Sequence, residues 1–249
     1  MPVVARCGRR GGVVALILPV LARADPWVVV AKPAGLPVHR SKMVNERDTL
    51  MRAARRQLGD HIAPVHRLDR PTSGCLLLSL DRGAIPRLQA ALAIGEKRYV
   101  AFVRGHAPDP SEVRIERPMK DDGGVERSAI TLIRPIATSR EPRCSLLLAR
   151  PLTGRYHQVR RHCRDLNHPV IGDSKHGDTR VNRWWREHYG LPRLGLHCLS
   201  LRLEPEGMEP IDVSCPLPRD LAEVFRRLPW WADALAAVPQ LHRDATEPG

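Results

Sequence analysis

The chain has 249 residues, of which 43% are hydrophobic, so it can form one large globular domain or two small ones. Its 40 Lys and Arg residues outnumber its 27 Asp and Glu residues, which gives a net charge of +13 and a pI near 10.3. This positive charge favours polyanionic partners, first nucleic acid and second an anionic membrane. The six cysteines show no CxxC spacing, which argues against a disulfide framework or a zinc site and fits a reducing compartment such as the cytoplasm.

The first 24 residues imitate a secretory signal peptide. Three arginines precede the apolar stretch Val13 to Leu21, and Ala22-Arg23-Ala24 follows it. That stretch is too short to span a bilayer, and a short extension followed by a strand is the alternative interpretation. We expect an N-terminal extension at 1–17, a catalytic domain at 18–240 and a frayed tail at 241–249. A secreted protein would instead begin near Asp25.

Apolar runs, alternation and helical spacing predict the elements along the chain. In chain order these are strand Trp27–Ala31, helix Thr49–Leu58, strand Cys75–Leu80, helix Ala84–Ala93, and strands Arg98–Arg104, Val113–Glu116, Ala129–Ile133 and Cys144–Ala149. Next come helices Tyr156–Leu166 and Val181–Tyr189, strands Leu196–Leu203 and Ile211–Ser214, and helix Leu221–Leu228. Many strands with irregularly interspersed helices predict an α+β fold with a mostly antiparallel sheet.

The densest polar segment is His66 to Gly74 (HRLDRPTSG), directly before an apolar strand. Its Asp, Pro, Thr, Ser and Gly residues are turn formers, and Asp69 could simply close an Asx-turn. However, the flanking Arg67 and Arg70 favour an ionised carboxylate, and a loop held by a buried strand suits a nucleophile. The sequence therefore predicts Asp69 as a candidate catalytic group.

The same segment resembles the HRLDxxTSG signature of the RluA family of pseudouridine synthases. Four other segments resemble further motifs of that family, in the family's order: Lys32 to His39 (KPAGLPVH), Lys97 to Tyr99 (KRY), Thr153 to His162 (TGRYHQVRRH) and His168 to Asp173 (HPVIGD). Together they cover roughly residues 25 to 215. The resemblance implies one catalytic domain with a mixed, mostly antiparallel central sheet flanked by helices and loops.

Within the family, the chain is similar to the branch that modifies uridine 65 of tRNA. The resemblance rests on Arg70-Pro71, on Arg160 to His162, and on Ser174 to Asp178 with Asn182-Arg183. It implies a tRNA substrate, no membrane association and no obligate protein partner. Two alternatives stay open: the same reaction on ribosomal RNA, and a catalytically silent RNA-binding protein of the same fold.

The chemistry needs few groups. Conversion of uridine to pseudouridine breaks the bond between N1 and C1′ and joins C5 to C1′, without redox change or loss of atoms. No cofactor and no metal are therefore expected. A carboxylate can add to C1′, as in retaining glycosidases, or abstract a ribose proton, and a single carboxylate suffices for either route. Asp69 is the motif carboxylate that we expect to do this.

The resemblance assigns roles to further side chains. Tyr99 would stack on the extruded base and help the C5 proton to leave, and Arg160 would bind the catalytic carboxylate. Arg67 would fill the space of the extruded base, and Leu196 would pack against the uracil, although core positions explain Tyr99 and Leu196 as well. Contacts to the RNA backbone are expected from Arg70, Arg155, His157, Arg161, Lys175 and Arg183.

Overall fold

A central sheet and its flanking helices account for most of the chain in the computed structural model, which describes residues 16–39, 49–107, 109–121 and 123–242. The strands are β1 (Val20–Ala24), β2 (Trp27–Lys32), β3 (Ala63–Pro64), β4 (Ser73–Ser79), β5 (Glu96–Arg104), β6 (Val113–Glu116), β7 (Met119–Lys120), β8 (Glu126–Arg127), β9 (Ile130–Ser139), β10 (Cys144–Pro151), β11 (Leu196–Leu203) and β12 (Ile211–Ser214). The α-helices are α1 (Leu50–Leu58), α2 (Ile85–Ile94), α3 (Gln158–Asp165), α4 (Thr179–Tyr189), α5 (Arg219–Phe225) and α6 (Trp231–Ala237).

The sheet has ten strands, in the order β1-β2-β4-β11-β5-β10-β9-β6, with β3 paired to β4 and β12 paired to β11. Within the described ranges, β4 and β11 pair in parallel and the other strand pairs are antiparallel. Strands β7 and β8 form a separate small hairpin. This architecture confirms the predicted α+β fold, a single domain with a mixed, mostly antiparallel sheet flanked by helices.

Side chains of β5 alternate between the two faces of the sheet, as the sequence predicts. Tyr99 and Val103 pack on the face that also holds Val159 of α3. Phe102 points to the opposite face, where its ring lies 4.9 Å from that of Trp185. Tyr99 therefore faces the side of the sheet on which α3 begins.

The N-terminal segment belongs to the sheet. Val20–Ala24 forms β1 and pairs with β2, and Leu18 is buried with 1% of its surface exposed. Residues 20–24 therefore form an edge strand of the sheet, which cleavage near Asp25 would remove. Residues 1–15, which include the start of the apolar stretch, lie outside the described residues. No helix in the described ranges is long and apolar enough to cross a membrane.

Several predicted boundaries need correction. The predicted strand Ala129–Ile133 continues to Ser139, because its pairing with β10 extends that far. The helix predicted from Tyr156 begins only at Gln158, since His157 has left-handed backbone angles. Helix α6 was not predicted. The predicted tail at 241–249 starts too early in the sequence, because Leu241 is buried and its carbonyl accepts from Leu217 N. Residues 243–249 lie outside the described residues.

Candidate active site

A cleft of about 940 Å³ opens between the loop that precedes β4, strand β5 and the loop that leads into α3. It contains most of the side chains that the sequence singled out. The predicted site residues that line it are Arg67, Asp69, Tyr99, Arg155, His157, Arg160 and Leu196. Those predicted for the site that do not line it are Arg70, Arg161, Lys175 and Arg183.

Thr72 to Gly74, the TSG part of the motif, hold the end of the loop that carries Asp69 in place. Gly74 has φ of 116°, and a Cβ at this position would lie 2.1 Å from the carbonyl oxygen of Cys198. The Ser73 hydroxyl lies 2.8 Å from Nδ1 of His197, whose Nε2 lies 2.7 Å from the Cys215 carbonyl oxygen. Glycine is therefore required where β4 meets β11, and this junction anchors the loop.

The Asp69 side chain does not close the turn. Instead, the backbone carbonyl of Asp69 accepts from Thr72 N at 3.0 Å, which leaves the carboxylate to project into the cleft. The Asx-turn interpretation of this aspartate is thus wrong. Its side chain is 19% exposed, so it is sheltered yet accessible.

Lys32 supports this loop from within the protein. Its side chain is buried, with 1% exposure, and Nζ donates to the carbonyl oxygens of Pro33 at 3.0 Å, Arg70 at 3.0 Å and Thr72 at 2.7 Å. Burial lowers the pKa of Lys32 to about 7, and the charge of Asp69 opposes that shift. Lys32 belongs to the KPAGLPVH segment, but the sequence did not predict a role for it.

Arg160 joins two carboxylates. Its Nε and Nη2 donate to Asp173 Oδ2 and Oδ1, both at 2.7 Å, and its Nη1 donates to Asp69 Oδ2 at 3.0 Å. Burial alone would lower the pKa of Arg160, but the bonds to Asp173 and Asp69 outweigh it and raise that pKa above its ordinary value. The predicted contact between Arg160 and Asp69 is therefore present. Asp173 was missed, although it ends the HPVIGD motif.

His157 approaches the same carboxylate oxygen as Arg160. Its Nε2 is 3.6 Å from Asp69 Oδ2, its Nδ1 is 2.8 Å from Nε2 of His176, and its side chain is 8% exposed. Burial lowers the pKa of His157 to about 4, against the charge of Asp69 and with a contribution from Arg160. The ring of Tyr156 stacks on it at 3.7 Å. The sequence predicted His157 as a phosphate contact, and the structure places it beside Asp69.

Tyr99 and Leu196 occupy neighbouring strands in the cleft. Tyr99 of β5 pairs with Cys198, and Leu196 of β11 pairs with Ala101. Burial raises the pKa of Tyr99 well above its ordinary value, and the nearby Cys198 and Asp69 act in the same direction. Tyr99 is therefore a neutral phenol at physiological pH. Leu196 is 3% exposed and gives the cleft an apolar wall.

The predicted RNA-binding side chains occupy different positions. Arg67 and Arg155 are exposed at the cleft, where Arg155 Nε donates to the Ser128 carbonyl oxygen at 2.9 Å. Arg70 is exposed and its Nε donates to the Gly35 carbonyl oxygen at 3.0 Å. Outside the cleft, Lys175 is exposed beside Tyr156, Arg183 is exposed on α4, and Arg161 is half-buried on α3.

Ligands for a metal ion are not grouped in this cleft or elsewhere in the described ranges, where no cluster of three His, Cys, Asp or Glu side chains could hold one. The cysteines at 75, 144, 163, 198 and 215 are buried and form no disulfide within the described part of the chain, and Cys7 lies outside the described residues. Among the described residues that line the cleft, Asp69 supplies one carboxylate, and the other polar groups include three arginines, three histidines and two tyrosines.

Comparison with known proteins identifies the family of this chain. A family model described as RNA pseudouridylate synthase matches residues 26–165. tRNA pseudouridine synthase C of Vibrio vulnificus (strain CMCP6) is 34% identical over 243 residues, which cover 89% of this chain and 99% of that protein. The protein of the same name from Salmonella typhi is 38% identical over 229 residues, covering 83% and 88%. The solved structure of Human RNA Pseudouridylate Synthase Domain Containing 4 superimposes with a TM-score of 0.67 and 26% identity, covering 84% of this chain and 92% of that one. The chain therefore belongs to the RluA family of RNA pseudouridine synthases, which are isomerases.

Proposed function

We propose that the protein isomerises uridine 65 of tRNA to pseudouridine and that Asp69 is its catalytic group. The observation that carries this proposal is the ion pair between Asp69 and Arg160, with a distance of 3.0 Å, inside a cleft bordered by arginines. The names of the relatives from Vibrio vulnificus and Salmonella typhi support tRNA as the substrate. The net charge of +13 suits a polyanion.

The two oxygens of Asp69 have different surroundings. Arg160 and His157 both approach Oδ2, whereas Oδ1 has no hydrogen-bond partner in the described part of the chain. Oδ1 is therefore the atom that can act on the ribose. It can form a bond to C1′ as the bond to N1 breaks, with C5 later displacing it, or it can take a ribose proton. Arg160 balances the negative charge in either route.

The remaining cleft residues suit an extruded nucleotide. A base that is stacked in an RNA helix must leave the stack to reach Asp69, and the cleft volume of about 940 Å³ can hold one. Leu196 offers an apolar surface to the uracil, and Tyr99 offers a flat ring with a hydroxyl. Because Tyr99 is a neutral phenol, its part in removing the C5 proton would be that of a hydrogen-bonding relay and not of a preformed phenolate.

Charged side chains around the cleft would hold the RNA backbone. Arg67 lies next to Asp69 and is exposed, so it can enter the space that the base leaves. Arg70, Arg155, Lys175 and Arg183 are exposed and able to reach phosphates, and the half-buried Arg161 is the least accessible of the set. A cytoplasmic location goes with this proposal, because the substrate is tRNA.

Mapping of pseudouridine in total RNA, from cells with and without the gene, tests the proposal. We expect one pseudouridine, at position 65 of tRNA, to disappear with the gene and to return with the wild-type gene but not with Asp69→Asn. Loss of a ribosomal RNA pseudouridine instead would contradict the proposed substrate. Return of the modification with Asp69→Asn would contradict the assigned catalytic group.

A further inference from the structure

Two histidines form a pair beside the catalytic carboxylate. Nδ1 of His157 lies 2.8 Å from Nε2 of His176, and Nε2 of His157 lies 3.6 Å from Oδ2 of Asp69. The first distance is that of a hydrogen bond, and the second is somewhat longer than one. The side chains of His176, His157 and Asp69 therefore form a chain of contacts that ends on Asp69. None of the motif roles inferred from the sequence uses His176.

The position of the proton in this pair follows from its surroundings. Burial lowers the pKa of both histidines, so both rings are neutral and each carries one N–H. Only one of these two N–H groups can lie in the 2.8 Å contact between the rings. If His157 donated from Nδ1, the lone pair of its Nε2 would face the negative carboxylate of Asp69, which is unfavourable. If His176 donates from Nε2, His157 carries its own proton on Nε2 and turns an N–H towards Asp69. The second arrangement is electrostatically preferred.

We propose that His176 is a positioning residue of the reaction: its Nε2–H donates to Nδ1 of His157, and His157 thereby presents Nε2–H to Oδ2 of Asp69. This rests on the proposed function in one respect, that Asp69 is the catalytic group. With Arg160 on the same oxygen, the two donors hold Oδ2 and leave Oδ1 directed at the ribose. A contact of 3.6 Å can shorten when RNA fills the cleft.

The pair is itself held in place. The backbone N–H of His176 donates to Asp173 Oδ1 at 3.0 Å, and Asp173 is the carboxylate that also binds Arg160. On the other side, His157 adopts φ of 55°, and Tyr156 stacks on its ring at 3.7 Å with an interplanar angle of 21°. A non-glycine residue adopts such a backbone angle only where its surroundings enforce it. Both neighbours of Asp69 thus depend on the segment from Asp173 to His176.

Histidine tautomers can be measured without substrate. In ¹⁵N-histidine-labelled wild-type protein, two-bond ¹⁵N–¹H correlations should show His157 protonated on Nε2, with resonances assigned by single substitutions. In His176→Phe, which removes the donor, His157 should show a mixture of tautomers. An Nδ1-protonated His157 in the wild-type protein would overturn the proposal. This experiment remains decisive even if the protein fails to modify tRNA, so its failure is distinct from failure of the proposed function.

Single-turnover rates at saturating tRNA test the consequence for the reaction. His176→Phe should lower the rate about tenfold with unchanged tRNA affinity, and His176→Gln, whose amide N–H can replace Nε2–H, should restore most of it. In a His157→Ala background, His176→Phe should cause no further loss. His188→Phe, an exposed histidine outside the cleft, is the matched control. Equal losses in the Phe and Gln variants, or independent losses from the two histidines, would overturn the proposal.

Discussion

Asp173 binds the guanidinium of Arg160 through two hydrogen bonds of 2.7 Å, and this fixes the plane of the group before any RNA arrives. Two parallel bonds to one carboxylate remove the rotational freedom that a single bond would leave. The remaining Nη1 then points at Asp69, 3.0 Å away. The orientation of the proposed catalytic carboxylate is thus set by a second, fully buried carboxylate.

We expect Asp173→Asn to impair both stability and turnover. The amide cannot accept two bonds from Arg160, and the variant leaves a buried guanidinium with only Asp69 as its anionic partner. Loss of one partner of a buried ion pair typically lowers the free energy of unfolding by about 3–5 kcal/mol. Urea unfolding measures this, with Asp212→Asn as the control, since the Arg202–Asp212 pair is exposed. Equal losses in the two variants would contradict the role of the buried pair.

Asp69→Asn should keep the fold and RNA binding while it abolishes the product. Asn has nearly the same shape, but its amide can neither attack C1′ nor take a ribose proton, so we expect the rate to fall by at least about 1,000-fold. Tritium release from C5-labelled uridine in tRNA measures the reaction. Activity within tenfold of wild type would remove Asp69 as the catalytic group.

Tyr99→Phe separates stacking from proton transfer. The phenyl ring still packs on the base, so tRNA affinity should stay the same, while loss of the hydroxyl should slow release of the C5 proton about 100-fold. Filter binding and single-turnover tritium release report these two quantities separately. Normal turnover in the Phe variant would leave Tyr99 with stacking alone.

Local sequence predicted those parts of the site that lie within one motif. Asp69 was predicted because an unusual polar loop identifies it, and Tyr99 and Arg160 because the resemblance places them. Two further supports were not predicted. Lys32 donates to backbone carbonyls of the loop that carries Asp69, and Asp173 binds Arg160. Both contacts form across the fold, and no spacing within the sequence reveals such partners. Edge strand β1 was ambiguous for a related reason, since its five residues are defined by pairing with β2 and not by their own pattern.

Acid should lower the free energy of unfolding through protonation of His157. The folded-state pKa of His157 is about 4, below its ordinary value of 6.5, so the unfolded chain binds more protons between these pH values. Stability from this group is therefore complete above pH 6.5 and is lost as pH falls towards 4, by at most about 1.4 kcal/mol per pH unit. Urea unfolding at several pH values should show a shallower slope in His157→Gln. An unchanged slope would mean that His157 is not neutral in the folded protein.

The last prediction separates the side chains that are proposed to bind RNA from Arg67, which is proposed to fill the space of the extruded base. If the basic surface follows the tRNA backbone, affinity falls steeply with salt through release of counterions. Neutralising the exposed Lys175 or Arg183, or the half-buried Arg161, should weaken binding of any RNA and flatten the salt slope by roughly one unit each. Arg67 lies in the cleft beside Asp69, so Arg67→Ala should lower the single-turnover rate far more than the affinity. A salt titration by filter binding, combined with single-turnover kinetics at saturating tRNA, measures both effects. If Arg67→Ala loses affinity alone, Arg67 is a phosphate contact like the others and the space of the extruded base must be filled by another group.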